Sequence, residues 1–585
     1  MTISMVPPRG SEAAPAAPRV IDVFLRYLKA EGVSVVFGIP GGLLHPFFEV
    51  IEKDADITLV VSKHEEGAAF MADGWARVSR KLSVCAGTAG PGATNLLTGV
   101  ACAFADGVPM LVVTGQAASH TLGKGAAQET SREDMDIVAM FRPVTKYSAM
   151  VTSPESMAQH LRRALRLALT GRPGPVHLNV PVDLWERPLA EAWFDPKTYR
   201  PDTKLFDRQA VQRTAQALLE AKRPVLFVGS GVGIASAQQH LRALAELLPA
   251  RVATTPRGKG LFPEDNPLSL GVMGFAGHAA AREVLLGTEC DLLLTVGTSL
   301  NETATLNWTP ALRKNRTFIQ LDIDADRIGR NYPVDVALVG DAQTVLVEIV
   351  YHLHRLMRDG KNAASTWASA PPPQRVYNEA ALRDSTQVPL TPQRWRRDLE
   401  EALPEDAIIF SDIGGHMLSN IHYLTIKDGQ RFVLNLGFGS MGHGTVAPIG
   451  AALAAPRQPV IAIIGDACFT MNGMELVTAV EHGIPRLVWI VENNNMHGIT
   501  WHGSKLVGSR QPLDSIKYRK TIEVAAIARA MGLASWVVES PNQIQNVLRE
   551  ALFSPGPSLI EVRVDGNIAP PLGDRAKSIA GFVEP

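Results

Sequence analysis

The chain is 585 residues long, 46% hydrophobic and nearly neutral, with a formal charge of -1 at pH 7. That balance supplies no electrostatic footprint for nucleic acid or an anionic membrane, and short basic runs such as RWRR (394–397) do not make one, so the expected partner is a small molecule. Cys85, Cys102, Cys290 and Cys468 lie scattered without CxxC spacing, which points away from a disulfide framework or a zinc site and towards a reducing, cytoplasmic setting.

In chain order, residues 1–17 hold Pro, Ala and Ser without a continuous apolar core, so a disordered tail is expected there rather than a secretory signal. No apolar run reaches the ~20 residues that a membrane-spanning helix needs, and a soluble protein is expected. From residue 18 onward, short apolar runs alternate with helical patterns. The first group holds SVVFGIP, ITLVVS, LSVCAGT, MLVVTG and VHLNVP. A linker is expected at EAWFDPKTYRPDTK (191–204), followed by RPVLFVGSGV, DLLLTVGTSL and FIQLDID. After WASAPPPQR come IIFSDIG, FVLNLG, VIAIIGD, RLVWIVENNN and LIEVRV. This is the pattern of parallel βα units. It predicts an α/β protein of three doubly wound parallel-sheet domains, at 18–190, 191–375 and 376–565, with a C-terminal tail at 566–585. In such sheets ligands bind beyond the carboxyl ends of the strands, so the candidates are residues at those ends.

The third group carries the sharpest signal. VIAIIGD ends on Gly465 and Asp466, and the next strand runs into Asn493, Asn494 and Asn495. Between them lies a helical pattern closed by Gly483, with Pro485 just beyond, which makes one βαβ unit. Its strands run parallel and side by side, so the carboxylate and the amides emerge together. Magnesium suits that pair, since it takes few protein ligands and fills its octahedral shell with water and phosphate oxygens. The helix N-terminus after Asp466 would face the same anion. The competing reading is an Asp capping a helix and, separately, an Asn-rich turn. Finding both halves at βαβ spacing favours the ion.

GDACFTMNGMELVTAVEHGIPRLVWIVENNN resembles the signature of the thiamine diphosphate (ThDP) enzymes, Gly-Asp-Gly followed by Asn-Asn, with Ala467 in place of the third residue. The resemblance implies ThDP and Mg2+ as cofactors, with Gly465, Asp466, Ala467 and Cys468 against the diphosphate. The implied metal ligands are Asp466, Asn494 and the Met496 carbonyl, preferred over a count that starts at Asn493 with Asn495. SKHEEGAAFMADGWAR resembles the segment whose glutamate, here Glu65, faces the aminopyrimidine ring. SDIGGH resembles the diphosphate-contacting loop, implicating Gly414, Gly415 and His416. GSMGHG resembles the segment from Gly439 whose methionine, here Met441, bends the cofactor, and Gly498 completes the implied cofactor set. Acetolactate synthases in particular are resembled by FGIPGG with Gly42, AGPGATN (89–95), TGQ ending at Gln116, QE at Gln128 and Glu129, and RPVTK ending at Lys146.

The implied reaction is decarboxylation of a 2-oxo acid followed by ligation of the remaining carbon unit to a second carbonyl. Glu65 and Gln128 are the implied catalytic residues, and Gly42, Gln116, Ala127 and Trp501 the substrate residues. The resemblance also implies a homodimer or homotetramer with active sites shared between chains. There are departures. Ala127 stands where acetolactate synthases have Phe and should widen the pocket, and Trp501 is out of the usual spacing. GTSLNE (297–302) lacks the flavin-contacting pattern, so FAD is not expected, and VGSGVG (228–233) lacks the GxGxxG fingerprint. The chain has no His-His pair and AGPGATN no histidine, which favours ligation over release of an aldehyde. His45 and His443 keep a non-ligating decarboxylase as the alternative. A catalytically inactive ThDP-binding relative is another, against which Glu65, Asp466 and the asparagines stand.

Overall fold

The strands of the computed structural model, which describes residues 17–189, 193–200, 204–506 and 513–573, form three six-stranded sheets. The first contains β1 (Val35–Ile39), β2 (Thr58–Val61), β3 (Ser83–Gly87), β4 (Met110–Gln116), β5 (Ser148–Met150) and β6 (Pro175–Pro181) in the order 2-1-3-4-6-5. The second contains β7 (Pro224–Val228), β8 (Arg251–Thr254), β9 (Ser269–Val272), β10 (Leu292–Val296), β11 (Thr317–Asp322) and β12 (Val336–Val339) in the order 12-11-10-7-8-9. The third contains β13 (Ile408–Ser411), β14 (Arg431–Leu434), β15 (Val460–Gly465), β16 (Leu487–Asn493), β17 (Ala534–Val538) and β18 (Ser558–Arg563) in the order 14-13-15-16-18-17. First and third sheets therefore share one topology, and the second has the dinucleotide-fold order with its switch point between β7 and β10. Helices cover both faces, which is why central strands such as β15 and β16 are buried at every residue and read as unbroken apolar runs. The expected α/β class of three doubly wound parallel sheets is what the chain forms.

The helix Glu65–Ser79 of the first unit packs against the helix His443–Ala454 of the third. Two glycines allow the approach: a Cβ on Gly74 would lie 1.9 Å from the Ala447 carbonyl oxygen, and one on Gly450 would lie 1.8 Å from that of Met71. Within this seam Asp73 pairs with Arg77 and, at 2.7 Å, with His443 Nε2. Arg77 continues to Asp106 at 2.8 Å, and Arg257 of the second unit reaches Asp106 at 2.7 Å. Burial alone would raise the Asp73 carboxyl, but Arg77 and His443 beside it hold it down to about 2. A buried ionic chain thus ties the three units at one point.

The expected linker is partly ordered. Pro196–Tyr199 is a helical turn, and Tyr199 and Arg200 both bond Glu31, at 2.7 and 2.6 Å. The expected tail at 566–585 needs correction at its start, because Leu572 is buried with Met417, Leu418 and Ile421. Two apolar residues, Pro570 and Leu572, hold residues 566–573 on the third unit. The rest of that tail, residues 1–16 of the N-terminal one, and 190–192 and 201–203 of the linker region lie outside the described residues. No helix among the described residues is long and apolar enough to cross a membrane.

Candidate active site

Two groups of the expected residues assemble, each at the carboxyl ends of adjacent strands. In the third sheet, β13, β15 and β16 are neighbours, with Ser411 opposite Ile463 and Gly465 opposite Glu492. Their exits bring together Gly414–His416, Gly465–Cys468 and Asn494–Gly498. Asp466 opens a helix, is 2% exposed, and accepts the Ala467 N–H at 2.7 Å. Its Oδ2 is buried with no partner. Burial pushes its carboxyl up to about 7, further raised by Glu492 and opposed by the backbone donors. His416 Nε2 is also buried without a partner, and burial holds the imidazole down to about 3. Leaving a buried polar atom unpaired costs about 1–3 kcal/mol, so two such atoms at one strand edge mark a place shaped for a ligand.

The asparagines divide by orientation. Asn493 ends β16 with its amide donating to Glu561 and to the Ile522 carbonyl, both at 2.9 Å, while its oxygen accepts the Asn495 N–H. Its side chain is thus engaged on both the amide and the oxygen. Asn494 Oδ1 accepts the Met496 N–H at 3.1 Å, and a Cβ on Gly498 would lie 2.6 Å from Asn494 Nδ2. Asn495 sits at φ 58°, a conformation Asn tolerates, with its Oδ1 buried and unpartnered. Hard oxygens beside a buried carboxylate fit a magnesium ion.

Residues the sequence reading left out hold this cluster in place. Asp412 of SDIGGH accepts the Gly442 N–H at 3.1 Å and the Thr445 hydroxyl at 2.9 Å, fixing the turn that carries half-buried Met441 and Gly439. Gly442 sits at φ 90°, and a Cβ there would lie 1.9 Å from Asn472 Oδ1. Arg396, fully buried, donates to the His416 carbonyl at 3.1 Å and pairs with Glu492 at 2.7 Å. Cys468 donates to the Ile413 carbonyl at 3.3 Å, and burial keeps its thiol protonated and inert. Trp501 lies buried, with Lys505 Nζ 3.2 Å and Lys517 Nζ 4.1 Å from its ring centroid.

The first sheet holds the second group. Glu65 begins its helix at the exit of β2 and accepts an N–H from Asn95 Nδ2 at 3.0 Å. A Cβ on Gly92 would lie 3.3 Å from Glu65 Oε1, and Gly41 packs on Thr88 in the same way. Gln128, at φ 57°, reaches Gly90 in this turn, and Gly42 faces open space. Ala127 is exposed beside Gln128. Gln116 is fully buried, its oxygen accepting from Ala117 and Thr130 and its nitrogen donating to Asn179 and Thr130. Of the histidines, His443 is turned into the helix seam against Asp73, and His45 is exposed 3.9 Å from Glu49.

A cavity of about 1460 Å3 lies elsewhere, beside the β7–β10 switch point, lined by Gly231, Gly297, Arg80, Arg242, Arg257 and Arg431 among others. Gly231 and Gly297 touch loop to loop there, a Cβ on Gly231 falling 2.7 Å from Gly297 Cα.

Comparison with known sequences bears directly on these two groups. Residues 18–140 match the family described as thiamine pyrophosphate enzyme, N-terminal TPP binding domain; 211–349 match its central domain and 412–562 its C-terminal TPP binding domain. The chain belongs to the thiamine pyrophosphate enzymes. It is 34% identical to a probable acetolactate synthase large subunit of Methanocaldococcus jannaschii over 96% of this chain and 95% of that one. It is also 34% identical to the acetolactate synthase large subunit of Corynebacterium glutamicum, over 85% and 78%. The expected acetolactate synthase-like, ThDP-dependent enzyme is therefore borne out. The acetolactate synthase relatives support ThDP-dependent decarboxylation of a 2-oxo acid with ligation of the remaining unit, and neither a non-ligating decarboxylase nor an inactive relative is favoured. The residues fit the cofactor: Glu65 stands in the N-terminal match, and the unpartnered atoms of Asp466 and His416 stand in the C-terminal one.

Proposed function

We propose that the protein works with ThDP and Mg2+ at sites shared between two copies of the chain, as a homodimer or a homotetramer, and ligates a decarboxylated 2-oxo acid to a second carbonyl. The observation that carries this reading is the buried, unpartnered Asp466 Oδ2 beside the asparagine turn. When bound, ThDP supplies the nucleophilic carbon and the electron sink for loss of the carboxylate. Asp466, Asn494 and the Met496 carbonyl hold the cation, while Gly414, Gly415 and His416 line the diphosphate. Glu65 would hold a proton against a ring nitrogen of the cofactor, and Met441 would support the cofactor from the third unit. Gln128 and Trp501 would serve the substrate, with Ala127 leaving room beside Gln128.

Two observations support the shared site. Glu66 and Gly67 face the third unit of their own chain, Glu66 accepting from Asn472 at 3.1 Å, whereas Glu65 is turned to Asn95. The segments carrying the third-unit cluster also expose Phe438, Met471 and Met474, at 52%, 55% and 62%, an apolar edge suited to a second copy. The units 18–190, 191–375 and 376–565 serve on this reading as pyrimidine-binding, central and diphosphate-binding domains. The buried free thiols accord with a cytoplasmic setting.

Prolonged chelation is expected to abolish activity and ThDP with Mg2+ together to restore it; full activity in the stripped protein would end this reading. FAD is not expected, because GTSLNE (297–302) departs from the flavin-contacting pattern. The cavity at the switch point has room for a nucleotide, and an absorbance spectrum of purified protein settles the matter. No flavin band is expected, and a stoichiometric one would refute the point.

A further inference from the structure

We propose that Glu475, from the third unit, is a positioning residue for Glu65 of the same chain. The inference rests on the reading of Glu65 given above. Glu475 is 2% exposed and follows the helix that Asp466 begins. Its carboxylate accepts the backbone N–H of His64 at 2.7 Å and that of Lys63 at 3.1 Å, and the Thr478 hydroxyl at 3.3 Å. The two backbone donors belong to the residues immediately before Glu65, at the positive end of its helix, where a carboxylate binds most favourably. The fit is close on the far side as well, since a Cβ on Gly67 would lie 2.2 Å from Glu475 Oε1. Asn472 strengthens the grip by donating to Glu66, and Lys63 Nζ reaches Glu481 at 2.6 Å.

The chemistry gives the contact a purpose. A glutamate that exchanges a proton with a bound ring must be placed within about 0.5 Å, and a side chain at the first residue of a helix inherits its position from the backbone just before it. Here that backbone is held by a charged group from another unit, and His64 Nδ1 is already engaged in capping the Glu66 N–H at 3.2 Å. Glu475 touches neither the ring nor the metal. It acts through the direction in which Glu65 projects.

Full-length Glu475→Ala and Glu475→Gln test this, with Glu65→Gln as reference. In cofactor-free protein, amide exchange at Lys63 and His64 is expected to quicken about tenfold or more in Glu475→Ala. In ThDP- and Mg2+-loaded protein, exchange of the thiazolium C2 proton is expected to slow about tenfold, with ThDP affinity within about threefold of wild type. Glu475→Gln keeps one acceptor oxygen and is expected to show smaller shifts in the same directions; it carries the test if the alanine variant does not fold. Unchanged amide exchange would overturn the proposal, as would lost amide protection with C2 exchange intact. Unimpaired C2 exchange in Glu65→Gln would instead overturn the reading of Glu65 itself, and this proposal with it.

Discussion

Asp466→Ala is expected to weaken binding of ThDP with Mg2+ by about 100-fold or more, while leaving the cofactor-free protein as stable as wild type. The two halves of that result share one cause. Without a cation, Asp466 is a buried carboxylate whose Oδ2 has no partner and whose ionisation burial opposes. Such a group contributes little to the fold, and its removal leaves the N–H of Ala467 as the main loss. With a cation present, the same carboxylate supplies the charge that the neutral amide and carbonyl oxygens lack. Ligand binding raises apparent stability by mass action, so wild type should gain several degrees in Tm on adding ThDP and Mg2+. The variant should gain none at the same concentrations. An equal gain would show that Asp466 does not hold the metal.

Mixing inactive Glu65→Gln with inactive Asp466→Ala under subunit exchange is expected to restore activity. If each site takes Glu65 from one chain and Asp466 from the other, a mixed dimer holds one site with both lesions and one with neither. Random exchange of equal amounts makes half of the dimers mixed, so recovery should approach about a quarter of the wild-type level. The geometry behind this is the opposite facing of neighbouring residues: Glu66 and Gly67 engage Asn472 and Glu475 of their own chain, while Glu65 bonds Asn95. No recovery in demonstrated heterodimers would place both residues in one chain's site.

The strand ends were legible from sequence because parallel sheets put ligands there, and Gly465, Asp466, Glu65 and the SDIGGH loop all lie at such exits. What stayed hidden depends on side-chain direction and on long-range contact. Three successive asparagines look alike in sequence, yet Asn493 is still in β16 and turns towards Glu561 on β18, whereas Asn494 and Asn495 have left the strand. RWRR reads as a solvated basic run. In the fold Arg394 and Arg396 are buried, paired with Asp398 and Glu492, and Arg396 supports His416. Gln116 sits in a motif of the resemblance, but its neighbours Thr130 and Asn179 are distant in sequence and occupy its amide. Glu475 reads as one more polar residue on a helix. Its partners, Lys63 and His64, are supplied by another unit.

The most direct measurement incubates the ThDP- and Mg2+-loaded protein with a panel of 2-oxo acids, alone and in pairs, and identifies the products by mass. The expected result is a 2-hydroxy ketone or 2-hydroxy-3-oxo acid that contains carbon from two substrate molecules, formed with release of one carbon dioxide. His443 faces Asp73 in the helix seam and is not placed to divert the reaction towards an aldehyde. Quantitative release of free aldehyde with an acceptor present, or no turnover of any 2-oxo acid by protein shown to hold both cofactors, would contradict the assignment.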